Sequence, residues 1–219
     1  MKNFRIILLL VCAIFFIYDA KALDGVVEYN SVNIDYDNLN PAKYKNEADK
    51  FLQLAEKDKQ TIDKKKFYYG EALGSYITAT EINPQLIDLY GKIGYIYGKL
   101  GKFGLAKAYL DKGLNMDITN PNINYYYGVV SAEMENYNQA LKYYKNAEKL
   151  NYADKYDINL KIGITNEKLG DLVKAKEAYL KALSCKPDDV LLKDKIQKLD
   201  DLKYIDSVYY YRKKTYYYD

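Results

Sequence analysis

Side chains that do chemistry are sparse in this 219-residue chain. Histidine is absent, which removes every mechanism built on an imidazole base and every imidazole metal ligand. Two cysteines, Cys12 and Cys185, are too few for a disulfide framework or a four-cysteine zinc site. The carboxylate pairs Asp188-Asp189 and Asp200-Asp201 fall on a short polar helix, where solvation accounts for them. There is no phosphate loop, no acidic metal cluster and no nucleophile beside a base. The expectation is therefore a chain that is not an enzyme, with no catalytic residue, no metal and no cofactor. Nucleic acid is also not expected as a partner. Only Arg5 and Arg212 are arginines among 33 basic residues, and the lysines alternate with 30 acidic side chains. What the chain has in quantity is tyrosine, 27 of them, with no tryptophan.

Residues 1–22 read as an address. Lys2 and Arg5 precede an uncharged run from Ile6 to Tyr18, and Ala20-Lys21-Ala22 supplies small residues on either side of one position. That is the layout of a secretory signal peptide cut after Ala22. The apolar run is too short to cross the roughly 30 Å hydrocarbon core as a helix. Cys12 lies mid-run without a small residue before it, which argues against a lipid anchor there. Removal of Lys2, Arg5, Lys21 and Asp19 brings the net charge from +3 to near +1. The mature chain is thus expected to have no membrane span and no global charge bias. It is expected in the periplasm or cell envelope of a bacterium, or secreted.

The elements that must position the tyrosines are repeated. Residues 69–84, 103–118, 137–152 and 172–187 align at offsets of 34, 34 and 35. Tyr69, Phe103, Tyr137 and Leu172 open the four copies. Ala72, Ala106, Ala140 and Ala175 follow, then Tyr76, Leu110, Tyr144 and Tyr179, then Ala79, Gly113, Ala147 and Ala182. Steps of three and four put these residues on one helical face, with small and large side chains alternating. Ile82, Met116, Leu150 and Cys185 close the series, so Cys185 is expected as a small buried apolar group rather than a redox thiol. A preceding helix recurs at 87–101, 121–135 and 156–170, with Leu89, Ile123 and Ile158 in register. Gly94, Gly128 and Gly163 share one column within it. Glycine inside a helix costs about 1 kcal/mol relative to alanine, so a shared column implies close helix crossing.

These helix–turn–helix units, with glycine in the first helix and alanine opening the second, resemble the tetratricopeptide repeat family. The stretch 167–187, EKLGDLVKAKEAYLKALSCKP, is the best single copy. The usual large aromatic of the first helix survives as Tyr90, and Asn124 and Asn159 replace it later. The resemblance implies an all-α, right-handed helical solenoid of antiparallel helix pairs with repeats at 41–84, 86–118, 121–152 and 155–187. The first repeat is expected to have a longer first helix, about 42–58, entered through Asn40-Pro41. A charged loop is expected through Lys64-Lys65-Lys66. Residues 188–203 are expected to form a capping helix that starts at Asp188. Residues 23–40 are an extended or disordered lead-in, with a weak strand signal at Val32, Ile34 and Tyr36. Residues 204–219 form a Tyr-rich tail.

By the same resemblance, first helices line a concave groove that holds a protein or peptide segment. The groove-facing candidates so implied are Gly91, Lys92, Tyr95, Gly98 and Lys99 in the second unit. In the third unit they are Asn122, Tyr125, Tyr126, Val129 and Glu133, and in the fourth Leu160, Lys161, Ile164 and Lys168. Some family members grip a terminal carboxylate with lysine and asparagine. Gly91, Tyr95 and Tyr126 occupy those places here, which argues against that role. Gly91 and Gly98 flanking Tyr95 instead suggest a shallow hollow walled by Tyr125 and Val129. The reading is a non-catalytic interaction scaffold of the envelope. The alternative is a structural subunit or assembly factor that acts through its convex face or Tyr-rich tail.

Overall fold

The computed structural model describes residues 39–201 apart from Asp58. The signal peptide, nearly all of the lead-in and the Tyr-rich tail lie outside the described residues. Eight helices run in order: α1 (Pro41–Glu56), α2 (Ile62–Ile82), α3 (Ile87–Lys99), α4 (Phe103–Met116), α5 (Pro121–Glu133), α6 (Tyr137–Lys149), α7 (Lys155–Lys168) and α8 (Leu172–Cys185). A further helix, α9, covers residues 190–201, and among the described residues there is no strand.

Local chemistry sets the helix boundaries. Asn40 accepts the Ala42 N–H at 3.0 Å with Pro41 at the first helical position. Asn120 does the same for Asn122 and Ile123, again before a proline. Asn136, Asp154 and Asp171 cap α6, α7 and α8 by accepting the N–H three residues on. Each short acceptor satisfies amide donors that the first helical turn leaves open. Gly101 and Gly170 end their helices in the left-handed region, at φ 72° and 81°. Glu135 holds the equivalent place between α5 and α6 at φ 58°, where a side chain is disfavoured.

The helices pair as hairpins α1–α2, α3–α4, α5–α6 and α7–α8, and each second helix also packs on the next first helix. The result is an all-α helical repeat solenoid. Ala72, Ala106, Ala140 and Ala175 are fully buried at the hairpin crossings, as their spacing required. The glycine column has a specific occupant. A Cβ on Gly94 would lie 2.6 Å from Leu110, one on Gly128 2.5 Å from the Tyr144 ring, and one on Gly163 would collide with Tyr179. A large side chain of each second helix thus sits directly over the glycine of the first. Gly113 replaces alanine in its own column because Ile123 of the next repeat fills that space, 2.6 Å from where a Cβ would stand. Burying such tyrosine, leucine and isoleucine side chains contributes about 1.5–3 kcal/mol each for the aliphatic ones, and no hairpin could bury both its faces alone.

Three local expectations are corrected. The charged loop is at 57–61, not at Lys64-Lys65-Lys66; α2 begins at Ile62 with Thr61 accepting the Lys64 N–H, so those lysines occupy its first turns. Helix α9 is capped by Asp189, which accepts the Leu192 N–H at 2.9 Å, and not by Asp188. Cys185 is exposed, not buried. Its column runs off the packed face at the end of the helix: Met116 is 36% exposed, and Ile82 and Leu150 are only half-buried. The thiol donates to the Lys181 carbonyl at 3.5 Å.

Candidate functional site: a tyrosine-lined inner face

The first helices α1, α3, α5 and α7 form one side of the stack. Their spacing is uneven. Helices α3 and α5 pack directly, whereas α5 and α7 stand further apart. The cause is Gly91 and Gly98, both buried. A Cβ on Gly91 would lie 2.8 Å from the Tyr126 ring, and one on Gly98 would lie 2.7 Å from Val130. The two glycines therefore leave no hollow. Their missing side chains are replaced by α5 itself, and the expected shallow depression beside Tyr95 is filled from within the chain.

What the face presents is a chain of phenols. Tyr95 and Tyr126 rings are 5.4 Å apart, Tyr126 meets Tyr125 edge-on at 5.4 Å, and Tyr125 stacks parallel on Tyr152 at 4.4 Å. Offset and edge-on ring contacts of this kind add attraction beyond area burial. All four rings remain partly exposed. Tyr152 comes from the turn after α6, which sequence spacing within the first helices could not reveal. Val129 is buried beneath them.

Carboxylates of α1 anchor the N-terminal end. Glu56 accepts from both the Tyr69 and Tyr95 hydroxyls at 2.6 Å. Asp49 accepts from the Tyr76 hydroxyl, from Lys45 at 2.8 Å and from Lys92 at 2.5 Å. Burial pushes the Asp49 carboxyl up, but the three donors outweigh it and hold the acid at about 2. Burial, then Glu56, pushes the Tyr95 phenol far above its ordinary range, so it stays a protonated donor. Burial, followed by the fields of Asp49, Asp88, Glu56 and Asp157, lifts Tyr126 to about 12. Asp49 and Glu56 were not among the candidate residues. Their helix diverges most from the repeat pattern, so no column pointed to them.

The other candidates fall into place around this ladder. Lys99 pairs with Glu133 at 2.5 Å and lies 5.5 Å from the Tyr95 ring, so the two rim residues are joined across α3 and α5. Asn122, with Asn120, donates its amide to Asp88, at 3.2 and 2.8 Å. Leu160 and Lys161 are half-buried, and Ile164 and Lys168 are exposed, along α7. Asn124 and Asn159, in the aromatic column, are buried and fold back on their own helices. Their amides donate to the Asn120 and Lys155 carbonyls at 2.9 and 2.7 Å. Among the described residues no group of three histidine, cysteine or acidic side chains is placed to hold a metal ion. No helix among them is long and apolar enough to cross a membrane.

Helix pairs crossed over glycine and alanine and stacked through shared seams define an α-solenoid repeat protein. A family model described as Tetratricopeptide repeat matches residues 87–117 and 156–189. Those two stretches of the chain are tetratricopeptide repeats. Solved structures carry the same fold. The Cut9–Hcn1 hetero-tetramer of the APC/C superposes with a TM-score of 0.62 at 20% identity, over 77% of this chain and 31% of that one. PilF of Pseudomonas aeruginosa gives 0.59 at 18% identity, over 78% and 76% of the two chains. MamA gives 0.52 at 24% identity, over 73% and 99%. This chain thus spans about a third of the length of the first of these. No curated protein matches it.

Proposed function

We propose that this chain is a non-catalytic protein–protein interaction scaffold of a bacterial cell envelope, which holds a segment of a partner protein against its inner face. The observation that carries the reading is the ladder Tyr95–Tyr126–Tyr125–Tyr152. Partly exposed rings, locked by one another and by Glu56, offer rigid amphipathic contact area. Such area loses little entropy when it is covered, because it is already ordered. Lys99–Glu133 closes one rim, and Lys161 and Lys168 the other. Export rests on residues 1–22 and places the scaffold outside the cytoplasm.

The experiment is capture from an envelope extract with the chain Leu23–Asp219, followed by identification of what co-purifies. Tyr95→Ala and Tyr125→Ala, each checked for retained helicity, are expected to lose the partner that the unaltered chain captures. Unchanged capture by both would sink the groove assignment. Export is checked separately, by sequencing the N-terminus of the protein recovered from the envelope, which is expected to begin at Leu23.

A second reading, a structural subunit acting through its convex face or tail, is favoured by Val173 and Leu180. They are 57% and 46% exposed and two turns apart on α8. Deletion of residues 204–219, or Val173→Ser with Leu180→Ser, separates the two. Loss of the partner in these variants, with the tyrosine variants unaffected, favours the second reading.

A further inference from the structure

The tyrosine ladder is bordered by acids whose charge nothing nearby balances. Glu56 accepts from two phenols, Asp88 from the amides of Asn120 and Asn122, and Asp157 from the Tyr125 hydroxyl. These donors are neutral, so they fix each carboxylate in place and leave its charge. None of the three acids forms an ion pair among the described residues. The lysines at this end are already engaged, Lys45 and Lys92 on Asp49 and Lys99 on Glu133. Lys161 and Lys168 follow Asp157 on α7 and pair with no acid among the described residues. The three acids come from α1, α3 and α7, and with Asp49 they all act on one ring, the Tyr126 phenol.

The rings lack cations as well. Elsewhere a lysine lies 3.7–5.5 Å from the ring centres of Tyr76, Tyr90, Tyr95, Tyr156 and Tyr179. Tyr125, Tyr126 and Tyr152 have no such lysine among the described residues. A ring face and a carboxylate both attract a guanidinium or ammonium, so side by side they favour the same occupant.

The chain itself carries that occupant. Residues 202–219 follow Asp201 and lie outside the described residues. They contain Arg212-Lys213-Lys214 between Tyr209-Tyr210-Tyr211 and Tyr216-Tyr217-Tyr218, with no acid from Ser207 to Tyr218. Arg212 is the one arginine beyond the expected cleavage site. The reach is sufficient. Helix α9 packs beside α7, with Lys195 at 2.9 Å from Glu167. Neighbouring helices lie roughly 10 Å apart, which puts α5 about 20–25 Å from α9 across α7. The eleven residues from Asp201 to Arg212 span up to about 36 Å when extended.

We propose that the inner face is covered by the chain's own segment Tyr209–Tyr218. Arg212, Lys213 and Lys214 stand against Glu56, Asp88 and Asp157, and the flanking tyrosines lie along the ladder. The inference goes beyond the groove reading: it gives the face a tethered occupant from within the chain, with which a partner segment has to compete. A short flexible tether holds such a segment at an effective concentration on the order of 1 mM, so a weak contact is enough to keep the face covered.

Two measurements test it. The first compares the chain Leu23–Asp219 with a variant carrying Arg212→Gln, Lys213→Gln and Lys214→Gln, which keeps the length and tyrosines of the tail. The probe is a fluorescein-labelled peptide of residues 204–219. It is expected to bind the triple variant about tenfold more tightly than the unaltered chain, because the tethered copy no longer competes. Adding Asp88→Asn and Asp157→Asn to the triple variant is expected to remove that gain. The second treats the unaltered chain with a water-soluble carbodiimide, which joins an ammonium to a touching carboxylate. Mass spectrometry of the monomer is expected to find Lys213 or Lys214 linked to Glu56, Asp88 or Asp157. Equal peptide binding by the two chains, or binding by neither, overturns the proposal. Cross-links confined to dimers also overturn it, since the occupant is then a second copy, as do links only to acids outside the inner face. The groove reading fails separately. If Tyr95→Ala and Tyr125→Ala leave envelope capture unchanged while the peptide and cross-link results hold, the tail covers the face and the partner binds elsewhere.

Discussion

The α3–α5 joint and the α7–α9 joint solve the same packing problem by opposite means. Between α3 and α5 the backbones approach because Gly91 and Gly98 have no side chains, and Tyr126 and Val130 fill the gaps. Between α7 and α9 the approach is bridged by Tyr179, Glu167 and Lys195. One contact is close, floored by glycine and intolerant of added volume, with its polar pairs Lys99–Glu133 and Asn122–Asp88 only at the rim. The other is polar, partly solvated and tolerant. A repeat fold fixes where neighbouring helices meet and leaves open what holds them.

Substitutions that exchange the two solutions should expose the difference. Gly98→Leu forces side-chain atoms into the space of Val130, and an overpacked crossing of this type costs about 1–3 kcal/mol. Chemical denaturation is expected to show that loss, with partial recovery in the double variant Gly98→Leu, Val130→Ala. A neutral Gly98→Leu would mean that α3 and α5 do not touch there. Tyr179→Phe removes one hydrogen bond to a carboxylate and is expected to cost less, about 1–2 kcal/mol. Lys195→Met should cost no more than about 1 kcal/mol, because its pair with Glu167 is partly solvated.

Acid should act where carboxylates bridge helices. The Asp49 carboxyl is held at about 2 in the folded chain, below its unfolded value. A depressed acid stabilises the fold at pH above its unfolded value of about 4, and that contribution is lost as the pH falls through the folded value. Stability of the unaltered chain is therefore expected to decline between about pH 4 and pH 2, with a shallower decline in Asp49→Asn. An identical decline in both would detach the α1–α3 bridge from stability. One substitution is expected to give a gain. Glu135→Gly relieves a left-handed residue where Gly101 and Gly170 stand in the neighbouring turns, and is expected to add about 1 kcal/mol.

Much of the architecture was legible in the sequence because the repeat imposes it. The alanine and glycine columns are set by what fits at a helix crossing, and three or four copies make such columns visible. The corrections fall where a column stops carrying that constraint. Cys185 ends a helix, where the apolar face has turned away from the core, so its alignment with Leu150 said little about burial. The start of α2 escaped because Lys64, Lys65 and Lys66 look like a loop, yet a helix with one solvated side accepts them. The inner face was read in part. Tyr95, Tyr125 and Tyr126 stood out, but Asp49, Glu56 and Tyr152 join them only through contacts between elements far apart in the chain.

The amino-acid order alone determined the repeat, the hairpin register and the absence of histidine chemistry, because periodicity and composition are local and additive. Only the tertiary structure decided that Gly91 and Gly98 are filled by α5 rather than open. It alone showed that Glu56 draws Tyr69 and Tyr95 to one point. Those outcomes depend on how far apart neighbouring helices settle. That distance is a balance of side-chain volumes from several repeats, which no single segment contains.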